Sequence, residues 1–120
     1  MSKIVHFEIP ADEPQKLLEF YGSAFGWQFQ QFGDQGYWLT TAGPDEEPGI
    51  GGAIMQKNGP DHPVTNVISV PNVDEACRSV EANGGTIVVP KFEVGGMGYV
   101  AYFKDPAGTI MGLWETIPQN

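Results

Sequence analysis

Residues 3–27, KIVHFEIPADEPQKLLEFYGSAFGW, hold one strand and one helix in an order that decides the fold. Residues 3–9 alternate in polarity, which is typical of a half-buried strand, and the proline that follows is expected to end it. Asp12 is then predicted to cap a helix, with Gln15 completing a capping-box pattern. That helix is expected to end at Gly26 in a left-handed turn. Its apolar stripe is predicted to be Leu17, Phe20, Tyr21, Ala24 and Phe25.

The same order of elements occurs twice along the chain. After the first helix, strands are predicted over residues 27–32, 37–41 and 50–57, with an acidic loop over residues 42–49. A linker-like stretch at residues 58–63 precedes a second strand that ends in proline, a second capping pattern at Asn72 and Glu75, and a second helix. The stripe of this helix is predicted to be Val73, Ala76, Cys77 and Val80, and the last strands to cover residues 86–94, 99–104 and 109–116. The sequence therefore predicts a single α+β domain of two tandem βαβββ modules, residues 1–57 and 64–120.

Length and charge exclude several classes of partner. A chain of 120 residues with 41% hydrophobic residues is typical of one globular domain. Its formal net charge of −9 repels phosphate backbones and anionic lipid, so we expect neither nucleic-acid nor membrane partners. Cys77 is the only cysteine, which excludes an intrachain disulfide and a multi-cysteine metal site. The sequence shows neither a signal peptide nor a long apolar run, and a cytoplasmic location is predicted.

Strand alternation predicts two kinds of sheet face. One face packs under the helices, and the other is expected to line a trough in which any ligand site would lie. The helix-side residues are predicted to be Val5, Phe7, Ile68, Val70, Met111 and Leu113. The trough residues are predicted to be Ile4, His6, Glu8, Thr65, Val67, Ser69, Ile110, Gly112 and Trp114.

The motifs in this order resemble the vicinal oxygen chelate superfamily, which comprises glyoxalases, bleomycin-resistance proteins and extradiol dioxygenases. The residues that carry the resemblance are 6–12 (HFEIPAD), 20–27, 73–76, 83–85 and 104–115 (KDPAGTIMGLWE), so it covers essentially the whole chain. It implies an open, cup-shaped mixed sheet with helices on its outer face, and commonly a homodimer.

The resemblance also implies four places for His or Glu ligands to a divalent cation in the cup. Counting from the first helix puts His6 at the first place, whereas counting from the end of the strand puts Ile4 there. The matching places in the second half fall on Thr65 and Gly112, and residues 51–56 contain neither a carboxylate nor a histidine. Because at most one place is filled, we predict no metal and no cofactor.

His6 and Glu8 are the candidate catalytic residues, since both face the trough from one strand. His6 is interpreted either as a ligand contact or general base, or as a partly buried, hydrogen-bonded histidine. Glu8 either orients His6 or is held by a backbone amide. The predicted ligand-binding residues are His6, Glu8, Trp38, Gln56, Tyr102 and Trp114. Trp114 is the preferred aromatic candidate, because the missing side chain at Gly112 on the same face is predicted to leave space for an apolar ligand.

Three functions stay open on the sequence. The first is a family protein of unassigned activity that binds a small, largely apolar molecule without a metal. The second is a metal-dependent lyase or dioxygenase-type enzyme with a rearranged site built on His6, Glu8 and Gln56. The third is a dimeric binding or regulatory module without catalytic activity.

Overall fold

The fold is α+β, as predicted, and its elements follow the predicted order. The computed structural model describes residues 2–34, 36–41 and 47–119, so most of the acidic loop predicted over residues 42–49 lies outside the described residues. The elements are β1 (Lys3–Ala11), α1 (Pro14–Phe25), β2 (Gln28–Gln31), β3 (Tyr37–Thr41), β4 (Gly51–Gln56), β5 (Thr65–Ser69), α2 (Val73–Ala82), β6 (Thr86–Val94), β7 (Gly98–Lys104) and β8 (Ile110–Thr116). Neither described helix, at 12 and 10 residues, is long and apolar enough to cross a membrane.

The chain divides into two compact units. The first unit is His6–Val64, and the second unit is Thr65–Asn120 with Met1–Val5. The division therefore cuts β1 between its third and fourth residues.

Four strands of the first unit lie in the order β2-β3-β4-β1, with β1 and β4 parallel and the other pairs antiparallel. His6 pairs with Gly51 and Glu8 pairs with Ala53, so these residues share one face, which we call the His6 face. Phe7 lies on the opposite face, where its ring is 6.0 Å from that of Trp27. The Trp27 ring in turn stacks on Tyr21 of α1 at 4.7 Å, which makes the opposite face the helix-covered one.

The ends of β1 and α1 differ from the prediction. Pro10 does not end β1, which continues to Ala11, because the fixed φ of proline fits an extended backbone. Asp12 does not cap α1. The residue before the helix is Glu13, which makes no side-chain cap and forms an ion pair with Lys16 instead. Proline is favoured in the first turn of a helix, and Pro14 occupies it here.

The predicted stripe of α1 is only partly correct. Leu17 and Tyr21 are half-buried, but Phe20 is 56% exposed and Phe25 is 66% exposed. The residue of this helix that is fully buried is Pro14, which the predicted stripe did not include. The predicted end at Gly26 is confirmed, since this glycine has a φ of 76° and donates to the Gly22 carbonyl.

The second unit contains strands in the order β5-β8-β7-β6, with β5 and β8 parallel. Its core is formed by α2 and the side of these strands that faces the helix. The predicted stripe of α2 and the predicted helix-side residues of the last strand all belong to this core. The buried core residues are Val73, Ala101, Phe103 and Leu113, with Ile68, Val70, Ala76, Cys77, Val80, Ile87, Tyr99 and Met111 packed against them. Val5 was predicted to be covered as well, but it is 43% exposed.

The predicted cap of α2 is confirmed, and its contribution to stability can be measured. Asn72 Oδ1 accepts a hydrogen bond of 2.8 Å from the Glu75 N–H. We expect Asn72→Ala to lower the free energy of unfolding by about 1 kcal/mol in urea titrations, because one N–H at the helix end loses its acceptor. Asn72→Asp keeps an acceptor there, and equal destabilisation by both substitutions would contradict this account.

Candidate functional site

Tyr37 joins His6 and Glu8 in a chain of hydrogen bonds within the first unit. The Tyr37 hydroxyl donates to Oε2 of Glu8 at 3.1 Å, and its oxygen lies 3.0 Å from Nε2 of His6. His6 and Glu8 come from β1, where alternation puts them on one face, and Tyr37 is the first residue of β3. The structure therefore brings together the two residues predicted as candidates, through a third residue that the sequence interpretation did not include.

Small residues of β4 lie between the strands that this contact joins. Strand β4 lies between β1 and β3, so Tyr37 must cross two strand spacings, about 10 Å, to reach β1. On the His6 face, β4 presents Gly51 opposite His6 and Ala53 opposite Glu8. Ala53 is fully buried, which agrees with a ring lying over it.

The single phenol proton fixes the direction of both hydrogen bonds. A carboxylate can only accept, so the Tyr37 hydroxyl gives its proton to Glu8. Its oxygen then accepts from His6, which places the imidazole proton on Nε2. Nδ1 of His6 is left as an acceptor with no hydrogen-bond partner among the described residues, and it is not a fully buried atom. The chain of bonds thus presents one open acceptor.

Burial sets the protonation states of the imidazole and the phenol. It lowers the pKa of His6 below 6.5, and the charge of Glu8 opposes this effect without outweighing it. Burial raises the pKa of Tyr37 well above 10, and the charge of Glu8 and its hydrogen bond act in the same direction. At neutral pH the site therefore holds a neutral imidazole and a protonated phenol. Glu8 is 6% exposed, so the hydroxyl of Tyr37 donates to a carboxylate that is almost completely buried.

The lowered pKa of His6 predicts a pH dependence of stability. In the folded protein His6 binds a proton less readily than in the unfolded chain, so its contribution is present above about pH 6.5 and is lost as the pH falls through its folded-state pKa. Glu8 and Tyr37 are the titratable groups that contact it. We expect urea unfolding of wild type and His6→Gln between pH 5 and 8 to show wild type losing stability relative to the variant as the pH falls. His62→Gln serves as the control for the loss of a histidine outside the site. Identical slopes for wild type and His6→Gln would contradict the prediction.

Two of the other predicted binding residues lie on the opposite face of the first unit. Trp38 pairs with Ile54 and so alternates away from the His6 face. Gln56 has the same parity, and its Nε2 donates to the backbone carbonyls of Ala11 at 3.4 Å and Asp12 at 3.1 Å. The structure therefore does not bring Trp38 or Gln56 to His6, and Gln56 instead holds the end of β1.

Tyr102 and Trp114 belong to the second unit and share one sheet face with Gly112, since Tyr102 pairs with Gly112 and Trp114 is two residues further along β8. The indole ring of Trp114 lies against Gly98, where a Cβ would overlap it, and its N–H donates to Thr116 at 2.8 Å. The prediction that Gly112 leaves room for a ligand is wrong. A Cβ placed there would be 3.1 Å from both Tyr102 and Val67, which already fill the space.

The residues at the implied metal places do not fit the ligand set of the metalloenzymes. Nε2 of His6 and Oε2 of Glu8 both bond to the Tyr37 hydroxyl. Thr65 and Gly112 offer no imidazole or carboxylate. Across residues 2–34, 36–41 and 47–119, no three His, Cys, Asp or Glu side chains are grouped as a metal ion requires. We therefore assign no step to a metal.

Comparison with known proteins identifies the family. The model of the Glyoxalase/Bleomycin resistance protein/Dioxygenase superfamily matches residues 3–111. The chain belongs to this superfamily. Two relatives, both named "Putative glyoxylase CFP32", from Mycobacterium bovis and Mycobacterium tuberculosis, are 31% identical over 115 residues. The match covers 90% of this chain but 43% of each relative, so this superfamily member spans less than half the length of the relatives it matches.

Solved structures show the same fold. The hypothetical protein BH1468 from Bacillus halodurans has a TM-score of 0.70 at 15% identity, covering 99% of this chain and 97% of its own. Methylmalonyl-CoA epimerase from Mycobacterium tuberculosis has a TM-score of 0.69 at 16% identity, covering 96% and 88%. A methylmalonyl-CoA epimerase variant from Streptomyces coelicolor, in complex with 2-nitronate-propionyl-CoA, has a TM-score of 0.66 at 14% identity, covering 97% and 98%. At these identities the likeness concerns the fold of the superfamily alone.

Proposed function

We propose that this superfamily member binds a small molecule at the His6 face of the first unit, with His6, Tyr37 and Glu8 as the polar end of the site. The observation that carries the proposal is the hydrogen-bonded chain that ends in the open Nδ1 atom of His6. A buried carboxylate requires partners for stability, and Tyr37 is one of them. Stabilising the buried Glu8 carboxylate does not require the hydroxyl of Tyr37 to be bonded to His6 as well. An imidazole with an accessible nitrogen is suited to contact a ligand.

Apolar residues beside this chain support a ligand that is largely apolar. On the His6 face, Leu39 pairs with Ala53, and Met55 follows two residues along β4. Leu39 and Met55 are half-buried, so each retains apolar surface that a ligand could cover. A few polar groups beside apolar side chains are typical of small-molecule sites.

A fragment screen tests this proposal. A ligand that binds only the folded protein raises its melting temperature, so a thermal-shift screen of neutral aromatic fragments should yield stabilising compounds. Each is then followed by NMR on the ring signals of the two histidines. We expect shifts at His6 and none at His62, which lies in the loop after β4 and accepts from the Asn58 N–H. Stabilising compounds that leave the His6 signals unchanged would place the ligand elsewhere and contradict the proposal.

The open Nδ1 atom favours a second candidate function, proton abstraction by His6. A neutral imidazole with an accessible nitrogen is a suitable general base. When Nδ1 takes a proton the ring becomes a cation, and Glu8, reached through the Tyr37 hydroxyl, stabilises that charge. Exchange of the α-hydrogens of an enolisable ketone in D₂O, followed by proton NMR, tests this function. We expect catalysed exchange in wild type and His62→Gln and its loss in His6→Gln, and equal rates in all three proteins would contradict it.

The assembly and location of the chain are further proposals. The homodimer implied by the family resemblance stays a prediction, and a monomeric mass in light scattering would contradict it. A cytoplasmic location likewise stays a prediction, which fractionation of the source cells would test.

A further inference from the structure

The proton arrangement of the site limits what a ligand can offer it. The Tyr37 hydroxyl uses its proton on Glu8 and accepts the Nε2 proton of His6, so neither atom of that bond is open to a ligand. The atom left open is Nδ1 of His6, which carries no proton in this tautomer. A ligand acceptor placed against Nδ1 would bring two lone pairs together, and a ligand donor would complete the chain of bonds.

Charge on the same face limits the ligand further. In the first unit, the described strand residues of the His6 face include no lysine or arginine. Lys57 follows β4 six residues after Gly51, roughly 20 Å along the strand. The chain of bonds ends in the Glu8 carboxylate, whose charge repels an anion bound at His6.

We infer that the ligand of this site donates a hydrogen bond, from an O–H or N–H group, to Nδ1 of His6 and carries no negative charge at that end. The inference rests on the proposed function, because it names the chemistry of the molecule that the site binds. It follows from the direction of two hydrogen bonds and from the side chains of one face. It excludes carboxylates and phosphates as the group that meets His6.

The tautomer of His6 tests the first step without any ligand. Protein labelled with ¹⁵N, as wild type and as His62→Gln to assign the signals, is measured by long-range ¹H–¹⁵N correlation at pH 7.5. We expect His6 as the neutral tautomer with its proton on Nε2. A proton on Nδ1 would overturn the inference while leaving the proposed function standing, since the site could still bind a ligand through an acceptor.

Matched pairs of probes test the second step. Indole and 1-methylindole differ in one N–H donor, and benzamide and benzoate differ in charge and in the donor. Titration of the His6 signals gives a dissociation constant for each probe. We expect indole and benzamide to bind at least about tenfold more tightly than 1-methylindole and benzoate, which is the effect of one unmade hydrogen bond. If both members of each pair bind at His6 equally well, the inference is contradicted and the proposed function still stands. No shift at His6 from any of the four probes contradicts the proposed function and the inference with it.

Discussion

Substitution of Gly52 by alanine is expected to destabilise the protein by about 3 kcal/mol and to lower its melting temperature by roughly 10 °C. A Cβ at this position would lie 2.5–2.6 Å from ring atoms of Phe7, which packs over Gly52 on the helix-covered face. The ring has little room to move, because it contacts Trp27, which is stacked on Tyr21. The strain must then be taken up by separating β1 from β4 or by opening the aromatic cluster under α1.

The neighbouring glycine provides the matched control for this prediction. Gly51 lies one residue away on the same strand, and a Cβ there would meet only the Thr40 carbonyl oxygen, at 3.7 Å. We expect Gly51→Ala to change the free energy of unfolding by less than about 0.5 kcal/mol. Urea unfolding followed by tryptophan fluorescence measures both variants. Equal destabilisation by the two substitutions would show that loss of glycine in β4 matters in general, and that the packing of Phe7 does not explain the effect.

The alternation of β1 was readable from the sequence, but the partner of its polar residues was not. His6 and Glu8 share a face because side chains in a strand alternate, and this needs no knowledge of neighbouring strands. The contact with Tyr37 depends on the register of two strand pairs, β1 with β4 and β4 with β3, and a shift of one residue in either would change the face. The available signal was one small residue, Ala53, which lies opposite Glu8 in the strand between.

Register also decides the aromatic candidates. Trp38 was assigned to the ligand site as a large aromatic residue, but it follows Tyr37 in β3 and so faces the other way. At Gly112 the missing side chain was taken as open space, although neighbouring side chains from two adjoining strands fill it. The type of a residue indicates whether its side chain is able to line a pocket, and the pairing of strands decides on which face of the sheet it lies. The start of α1 was also predicted incorrectly. Pro14 occupies the first turn, so the helix does not begin after Asp12 as the capping pattern indicated.

Substitution of Tyr37 by phenylalanine is expected to lower the free energy of unfolding by about 1–3 kcal/mol and to weaken indole binding at His6 by about tenfold. The ring is kept, so its contact with the ring of Phe32 is nearly unchanged, but two hydrogen bonds are lost with one oxygen. Glu8, which is 6% exposed, loses a donor, and Nε2 of His6 loses its acceptor. The imidazole proton is then free to move to Nδ1, where it blocks the acceptor that indole requires. Urea unfolding measures the first effect, and NMR titration of the His6 signals measures the second.

Tyr21→Phe is the control that separates this effect from the general loss of a phenol oxygen. Tyr21 lies in the same unit and stacks on Trp27, and its hydroxyl makes no hydrogen bond to the described residues. We expect this variant to retain both stability, within about 0.5 kcal/mol, and indole affinity. If Tyr37→Phe loses stability but binds indole as wild type does, the hydroxyl serves Glu8 alone and His6 does not need it to present Nδ1. If it loses neither, the chain of bonds from His6 to Glu8 does not hold in solution. Loss of both, with Tyr21→Phe unchanged, is the result expected if the Tyr37 hydroxyl both stabilises Glu8 and holds the imidazole proton of His6 on Nε2.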